Sequence, residues 1–567
     1  WEHYLSCDGS PDPTVLQEIN TFMSLWREDQ NEDVQLVMEK GEQVLNLIEK
    51  LQFLLLDTPP SEITEKETIQ YEESIQELQN LLHQKYDEAT EHLLKVTNMY
   101  EDSDTGNMQA VIKDKNVTFC IWANLKKKVR FKNHVFFGTQ HGFDLPKSLA
   151  VSSVAVRILH TRYDHVSPLR PRTIISFKEK SSSTADINGT GEETEKKLEI
   201  LDTPSQGIWL DFMCSVAKDP LLHEEMNEKE EAVTDENIVD LQQFVPVGGV
   251  YHINALQIPP QVKQIKDWSM VELLDVGLEA YPYPPEEAED ATHPPIQITL
   301  RLSDEVIYFE NPVIARWDPA GKQWRTDGIS NTTYEPQEKR VTFEMGAFYT
   351  IALLQAAHLS MPYQAWELRP AGRDEALLTV TTVFATIQIK IKDNQCMLSS
   401  VVVDENDVLS HVTGKWLSPV DLGAVLKKAG VNIFPGEYSH KYAPVKKKVS
   451  AKVGGFPLFI PPAFHVGNIC LYEALLCRIS ERCKEDSDED WSLYMFNGQK
   501  AQKLKITETS EAFSEELEED SEFHSTLYHM LKDFASKEAV AKVERASFLF
   551  VDVVYQLLFA TRVLTYS

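Results

Sequence analysis

The first hundred residues place apolar side chains at helical intervals along two segments. In residues 34–56 the apolar positions recur near heptad spacing, at Val34, Val37, Val44, Ile48, Leu51 and Leu55. After DTPPSE at 57–62 the pattern resumes at Tyr71, Ile75, Leu78, Leu82, Ala89, Leu93, Val96 and Tyr100. Two helices joined by a Pro-Pro turn predict a hairpin within residues 1–107. The hairpin is either a coiled-coil arm that binds a partner or an internal helical pair.

From residue 108 the apolar positions alternate, as is typical of β-strands. Strand-like segments lie at 116–125, 130–137, 154–160, 248–260, 294–302, 306–317, 323–326 and 339–355. Short strands at regular spacing predict β-sandwich architecture, so we expect a β-rich domain at 108–247 and a β-sandwich domain at 248–360. Within the first domain, a polar and acidic tract at about 176–237 predicts a disordered insert.

The C-terminal segment, residues 361–567, mixes strands with helices and predicts an α+β domain. Two hairpins are expected, one from 377–391 with 396–403 and one within 491–506. A helix is predicted from residue 418, because Ser418 is a preferred cap, Pro419 suits the first turn and Gly430 suits the end.

The last apolar run, FLFVDVVYQLLFA at 548–560, is too short for a bilayer and contains Asp552 and Gln556. It therefore predicts a buried helix rather than a membrane span. The chain also has no Gly-His and Trp-Asp periodicity. We predict an α+β multidomain protein with a long-helix hairpin, β-sandwich-like central domains, an α/β C-terminal region and no WD propeller.

Charge and cysteine content exclude several classes of partner. The 567 residues include 88 acidic and 55 basic side chains, which give a formal net charge of −33. This charge argues against nucleic-acid binding and against general attraction to acidic membranes. Seven cysteines without a CxxC motif favour a reducing intracellular compartment. The start, WEHYLSCDG, has neither a secretory signal pattern nor a methionine, so we expect a longer chain.

Two basic clusters stand out against this acidic background. They comprise Lys126, Lys127, Lys128, Arg130 and Lys132 in the first, and Lys446, Lys447 and Lys448 in the second. Such clusters can dock onto an acidic protein surface, and they are the candidate partner contacts. The simpler interpretation is that solvated lysines protect a strand edge against aggregation.

Catalytic motifs of the common kinds are missing: the sequence has no Walker A loop, GxGxxG, GxSxG or HExxH. The nearest metal-like string is HTRYDH, in which His160, Asp164 and His165 could bind zinc and support a hydrolase. One helix would not place both histidines on one face, and no third ligand is apparent. Structural histidines are therefore favoured, and we expect no enzyme activity, no cofactor and no metal.

The segment RWDPAGKQWRTDGIS, residues 316–330, holds Trp317 and Trp324 seven positions apart. The Asp-Pro-Ala-Gly sequence at 318–321 has residues that a type I turn prefers. We therefore predict a short hairpin whose indoles form part of the structural core. The alternative is an exposed aromatic platform for a ligand or peptide.

The same segment, with VTFEMGAFYTIALLQ at 341–355, closely resembles the axonemal dynein intermediate chain 7 family, also called cancer susceptibility candidate 1. Nearly the whole chain looks like that family, including WEHYLSCDGSPDP, VLNLIEKLQFLLLDTPP, VAVRILHTRYDHVSPL and LLTVTTVFATIQIKIKDNQCMLSS. The region at 176–237 resembles it least.

The resemblance implies a non-catalytic subunit of inner-arm axonemal dynein that supports ciliary and flagellar beating. The implied partners are a dynein heavy chain, other dynein intermediate chains and tubulin of the doublet microtubule. The implied location is the axoneme, with a cytoplasmic pool. Two alternatives stay open: a cytoplasmic factor that preassembles dynein arms, and an axonemal microtubule-binding protein independent of dynein.

Overall fold

The computed structural model describes six ranges, with short gaps. The ranges are 10–168, 235–443, 475–480, 491–496, 501–503 and 547–566. The gaps are 31, 58–62, 103–104, 126–132, 262, 266–267, 271–276, 286–292, 373, 405 and 437. The helices in these ranges are α1 (Leu16–Glu28), α2 (Val34–Asp57), α3 (Glu65–Lys95), α4 (Lys147–Ala150), α5 (Pro419–Lys428), α6 (Ser439–Tyr442), α7 (Phe548–Thr561) and α8 (Val563–Tyr566).

The strands of the described ranges fall into four sheets. In chain order they are β1 (Met108–Lys113), β2 (Val117–Ala123), β3 (Asn133–Val135), β4 (Gly142–Asp144), β5 (Val154–Thr161), β6 (Phe244–Gln257), β7 (Lys263–Ile265), β8 (Trp268–Met270), β9 (Ile296–Arg301), β10 (Val313–Asp318), β11 (Gln323–Arg325), β12 (Ile329–Glu335), β13 (Arg340–Met345), β14 (Thr350–Ala356), β15 (Ala365–Gly372), β16 (Glu375–Thr381), β17 (Thr386–Lys392), β18 (Gln395–Val403), β19 (Asn406–Val408), β20 (Trp416–Leu417), β21 (Leu475–Ser480), β22 (Trp491–Phe496) and β23 (Ala501–Lys503).

The predicted helical hairpin is formed by α2 and α3, and α1 packs beside α3. Helix α3 begins with a capping box: the Glu67 backbone N–H donates to Thr64 Oγ1, and the Thr64 backbone N–H donates to Glu67 Oε2. Gly41 on α2 lets the two helices approach closely, because a Cβ there would lie 3.0 Å from Leu82 Cδ1.

The helices cover one face of a seven-stranded sheet, whose strand order is β1-β2-β5-β6-β14-β10-β11. Phe119, Ile121 and Leu159 of this sheet share one buried core with Leu78 and Leu82 of α3. The apolar seam that predicts the hairpin is therefore buried inside the chain. Within the described residues, a partner of the hairpin would meet the outer face of the helices rather than this seam.

The opposite face of the seven-stranded sheet packs on a five-stranded sheet of order β12-β13-β9-β4-β3. Trp122, Ile158 and Tyr251 of the first sheet meet Ile298 and Phe343 of the second. The predicted α+β fold with β-sandwich architecture and no propeller is confirmed, since both sheets of the sandwich are antiparallel and no sheet among the described residues is closed into a barrel.

Strands on both sides of the predicted boundary at residue 247 pair directly, β5 with β6 and β4 with β9. Which of the four predicted segments folds on its own stays a prediction. Most of the predicted insert at 176–237 lies outside the described residues. Its last three residues, 235–237, form a turn, after which Ile238 makes an isolated β-bridge with Arg325.

The C-terminal part is a nine-stranded sheet covered by α5, α7 and α8. The predicted hairpin of 377–391 with 396–403 is instead a meander of three strands, β16, β17 and β18. Residues 377–391 are divided between β16 and β17 by a turn in which Thr382 Oγ1 accepts from the Ala385 N–H. Helix α5 has the predicted Ser418 cap and ends before Gly430, whose φ is +86°. Strands β22 and β23 confirm the predicted second hairpin.

The apolar C-terminal run forms α7, as predicted, with Leu557 fully buried in the core. Among the helices that the structure describes, none combines the length and apolarity needed to cross a bilayer. Hydrogen bonds near Gly430 join the C-terminal part to the sandwich. Gln355 Nε2 donates to the Gly430 carbonyl oxygen at 2.7 Å, and the Ile307 N–H donates to the Ala429 carbonyl oxygen at 2.9 Å.

Candidate functional site

The outer face of the five-stranded sheet forms an open cleft of about 810 Å³. It is lined by side chains from β3, β4, β9 and β13 and by the turn after β12. The polar residues Asp144, Gln297, Thr299 and Arg340 are among those that line it. Because the inner face of this sheet fills the sandwich core, its outer face is available to a partner.

The cations of this cleft already have carboxylate partners. Arg340 Nη2 lies 2.5 Å from Glu335 Oε2 and 2.8 Å from Glu338 Oε2. Arg301 Nη2 lies 3.1 Å from Asp304 Oδ1. Such balanced charge suits contact with a mixed polar protein surface better than capture of a small anion.

One edge of the same sheet is apolar and exposed. Among the described strands β3 is the terminal one, and Val135 within it and Phe137 in the turn after it are 63% and 95% exposed. An edge strand beside a large exposed ring is a typical place for a protein partner to bind.

The basic cluster of Lys126, Lys127, Lys128, Arg130 and Lys132 directly precedes β3 in sequence but lies outside the described residues. The cluster of Lys446, Lys447 and Lys448 is likewise not among them. Their proposed role as partner or microtubule contacts therefore stays a prediction.

The two tryptophans lie opposite each other in the predicted hairpin, because β10 pairs with β11 and Trp317 pairs with Trp324. Their rings are edge-to-face with centroids 5.2 Å apart. Trp324 is fully buried and Trp317 partly so. In the connecting turn the left-handed residue is Lys322, with φ of +49°, rather than Gly321.

Trp324 also connects two distant segments. Its Nε1–H donates to Ser167 Oγ at 2.7 Å, and its carbonyl accepts from the Val239 N–H at 2.9 Å. Ser167 and Val239 flank the predicted acidic insert. Trp324 therefore links the two described segments on either side of the predicted insert, by its ring to Ser167 and by its backbone to Val239.

The string HTRYDH does not form one site. His160 Nε2 lies 2.8 Å from the Gly248 carbonyl oxygen, and the His160 ring stacks on Tyr251 in the sandwich interior. Asp164 Oδ1 accepts from the backbone N–H groups of Val166 and Ser167, which fixes a local turn. The two residues therefore have structural surroundings rather than the arrangement of a hydrolase.

His165 instead meets two histidines that sequence spacing does not connect to it. Its Nε2 lies 3.0 Å from Nε2 of His252 on β6, and its ring centroid is 5.5 Å from that of His83 on α3. One ring nitrogen from each of the three lies within 4.8 Å of the others. We call this group, at the contact of α3 with the seven-stranded sheet, the His83–His165–His252 cluster. His83 and His252 were missed because their proximity depends on long-range packing.

Burial keeps several histidines uncharged. It lowers the pKa of His134 to about 4, of His160 to about 4 and of His165 to about 3. Burial also lowers the pKa of His83 and of His252. At physiological pH these imidazoles are neutral and each offers one nitrogen lone pair.

Comparison with known proteins covers the whole chain. Residues 1–130 match the family described as Cancer susceptibility candidate 1 N-terminus. The chain is 44% identical over its full length to the dynein axonemal intermediate chain 7 proteins of Macaca fascicularis and Homo sapiens, covering 86% and 87% of them. A homologue from Ciona intestinalis is 32% identical over 93% of this chain and 82% of its own length. The chain therefore belongs to the dynein axonemal intermediate chain 7 family.

Proposed function

We propose that this chain is a non-catalytic structural subunit of ciliary inner-arm dynein that helps to assemble or anchor the motor complex on doublet microtubules. In this role it supports ciliary beating. The observation that carries the proposal is identity of 44% over the whole chain to relatives named as axonemal dynein intermediate chains. Identity of that extent includes the helical layer, both sheets of the sandwich and the C-terminal sheet.

The proposed docking surface is the cleft on the five-stranded sheet together with its apolar edge at Val135 and Phe137. A protein partner would cover the Phe137 ring and add a strand beside β3. We propose a dynein heavy chain or another intermediate chain as this partner. A contact with tubulin would use the basic side chains at 126–132, which the sequence places directly before β3.

The alternative roles differ in where the chain resides. A preassembly factor would act in the cytoplasm and be absent from the finished axoneme. A dynein-independent microtubule protein would stay on doublets that have lost their dynein. The proposed subunit is found in the axoneme and leaves it together with dynein.

Replacing Phe137 with glutamate tests the docking surface. The ring is 95% exposed, so the variant is expected to melt at the wild-type temperature. If the ring is a binding hot spot, co-extraction with dynein from axonemes of rescued cells should fall at least about tenfold, since tenfold corresponds to about 1.4 kcal/mol. Comparison of melting curves and dynein-containing fractions measures both effects.

Val383→Glu is the matched control, because Val383 is 60% exposed and lies in the turn between β16 and β17, outside the residues that line the cleft. This variant should co-extract as the wild type does. Equal co-extraction of Phe137→Glu, Val383→Glu and wild type would remove the edge of β3 from the proposed interface.

A further inference from the structure

The His83–His165–His252 cluster brings together three ligands from three separate elements. His83 lies on α3, His252 on β6 and His165 just after β5. Zinc–imidazole bonds of about 2.0–2.1 Å at tetrahedral angles place two ligand nitrogens about 3.3 Å apart. The observed separation of 3.0 Å between Nε2 of His165 and Nε2 of His252 is close to that value.

The third ligand needs only a small adjustment. The three candidate nitrogens already lie within 4.8 Å of one another. The His83 side chain is 30% exposed, so its ring has room to turn toward the other two. Its Nδ1 is buried and has no hydrogen-bond partner among the residues that the structure describes, while its Nε2 lies 3.8 Å from Asp87 Oδ2. Metal binding would supply a partner for a nitrogen that now lacks one.

The surroundings of His252 resemble the outer shell of a metal site. Its Nδ1 lies 2.9 Å from Thr350 Oγ1, while its Nε2 faces His165. When the threonine oxygen accepts the Nδ1 hydrogen, Nε2 keeps its lone pair and the ring is held in place.

The local charge also permits a cation. The positive charge of Arg157, which lies close to the cluster, is balanced by Asp87, because Arg157 Nη1 lies 2.7 Å from Asp87 Oδ1. Sets of imidazole ligands favour zinc, copper and nickel over calcium and magnesium.

We propose that His83, His165 and His252 bind one zinc ion, which ties α3 of the helical layer to β6 of the sandwich. Water would occupy the fourth position. The role is structural: the ion crosslinks two layers that also meet through apolar packing and through polar contacts such as the Arg157–Asp87 pair and the bond from Arg157 Nη1 to Thr90 Oγ1. This inference is independent of the dynein role.

Zinc content of the full chain tests the proposal. The protein is stripped with a chelator, reconstituted with zinc chloride, desalted and measured by mass spectrometry of the metal. We expect one zinc per wild-type chain, none in His165→Gln/His252→Gln, and one in the control His358→Gln. His358 is a partly buried histidine whose ring stacks on Tyr442, outside the cluster. Zinc should raise the melting temperature of the wild type and the control only.

A cobalt titration of the wild-type chain keeps the test decisive if the double variant fails to fold. Cobalt in a four-coordinate site of this kind should give intense visible absorption that saturates at one equivalent and disappears on addition of zinc. Wild-type protein that retains no stoichiometric zinc and gives no such absorption would overturn the proposal. His165 and His252 would then be a metal-free hydrogen-bonded pair.

Discussion

Trp324 illustrates how one side chain can have both a packing and a connecting role. Its ring is fully buried against Trp317, Val250 and Leu354, while its Nε1–H reaches Ser167. The sequence predicts the hairpin and its paired indoles, because turn preference and strand alternation are local. The bond to Ser167 could not be predicted, since the two residues are 157 positions apart.

Substituting Trp324 with alanine should lower the free energy of unfolding by about 3–5 kcal/mol, because removing a fully buried indole leaves a cavity. Trp317→Ala should cost less, since Trp317 is only partly buried. Urea unfolding of both variants measures the difference. An unchanged stability for Trp324→Ala, together with loss of a partner, would instead favour the aromatic platform.

The elements were largely predictable, but their pairing was not. Residues 339–355 look like one strand-like run in the sequence, yet they form β13 in one sheet and β14 in the other. Burial alternates along β13 but is continuous along β14, where Ile351 and Leu353 face the sandwich core and Ala352 and Leu354 are buried on the other face. The row of apolar residues along α2 and α3 was equally evident in the sequence, but its burial against β2 and β5 depends on packing between distant segments.

The contact between α2 and α3 gives a prediction at this scale. Gly41→Leu should destabilise the protein by about 1–3 kcal/mol, because a larger side chain would overpack the contact with Leu82 and Tyr86.

Gly423→Ala on α5 is the control. A Cβ there would lie 3.7 Å from Phe434, so alanine should stabilise by up to about 1 kcal/mol through helix propensity. Thermal unfolding compares the two variants, and equal melting temperatures would contradict a tight α2–α3 contact.

At the scale of the molecule, helices, a two-sheet sandwich and a C-terminal sheet are joined by buried hydrogen bonds. Gly430 is part of this junction: a Cβ there would lie 2.2 Å from the Ile307 carbonyl oxygen. The predicted family is confirmed by full-length identity. The cleft and the His83–His165–His252 cluster could not be predicted, because each is assembled from strands or helices far apart in the chain.

Stepwise salt extraction of isolated axonemes tests the proposed subunit role most directly. If the chain is a resident dynein subunit, it should be present in washed axonemes and leave them in the same salt fraction as an inner-arm heavy chain. Its axonemal content should also fall in cilia that lack inner arms. Absence from washed axonemes, or retention on doublets after dynein has been extracted, would contradict the proposed role.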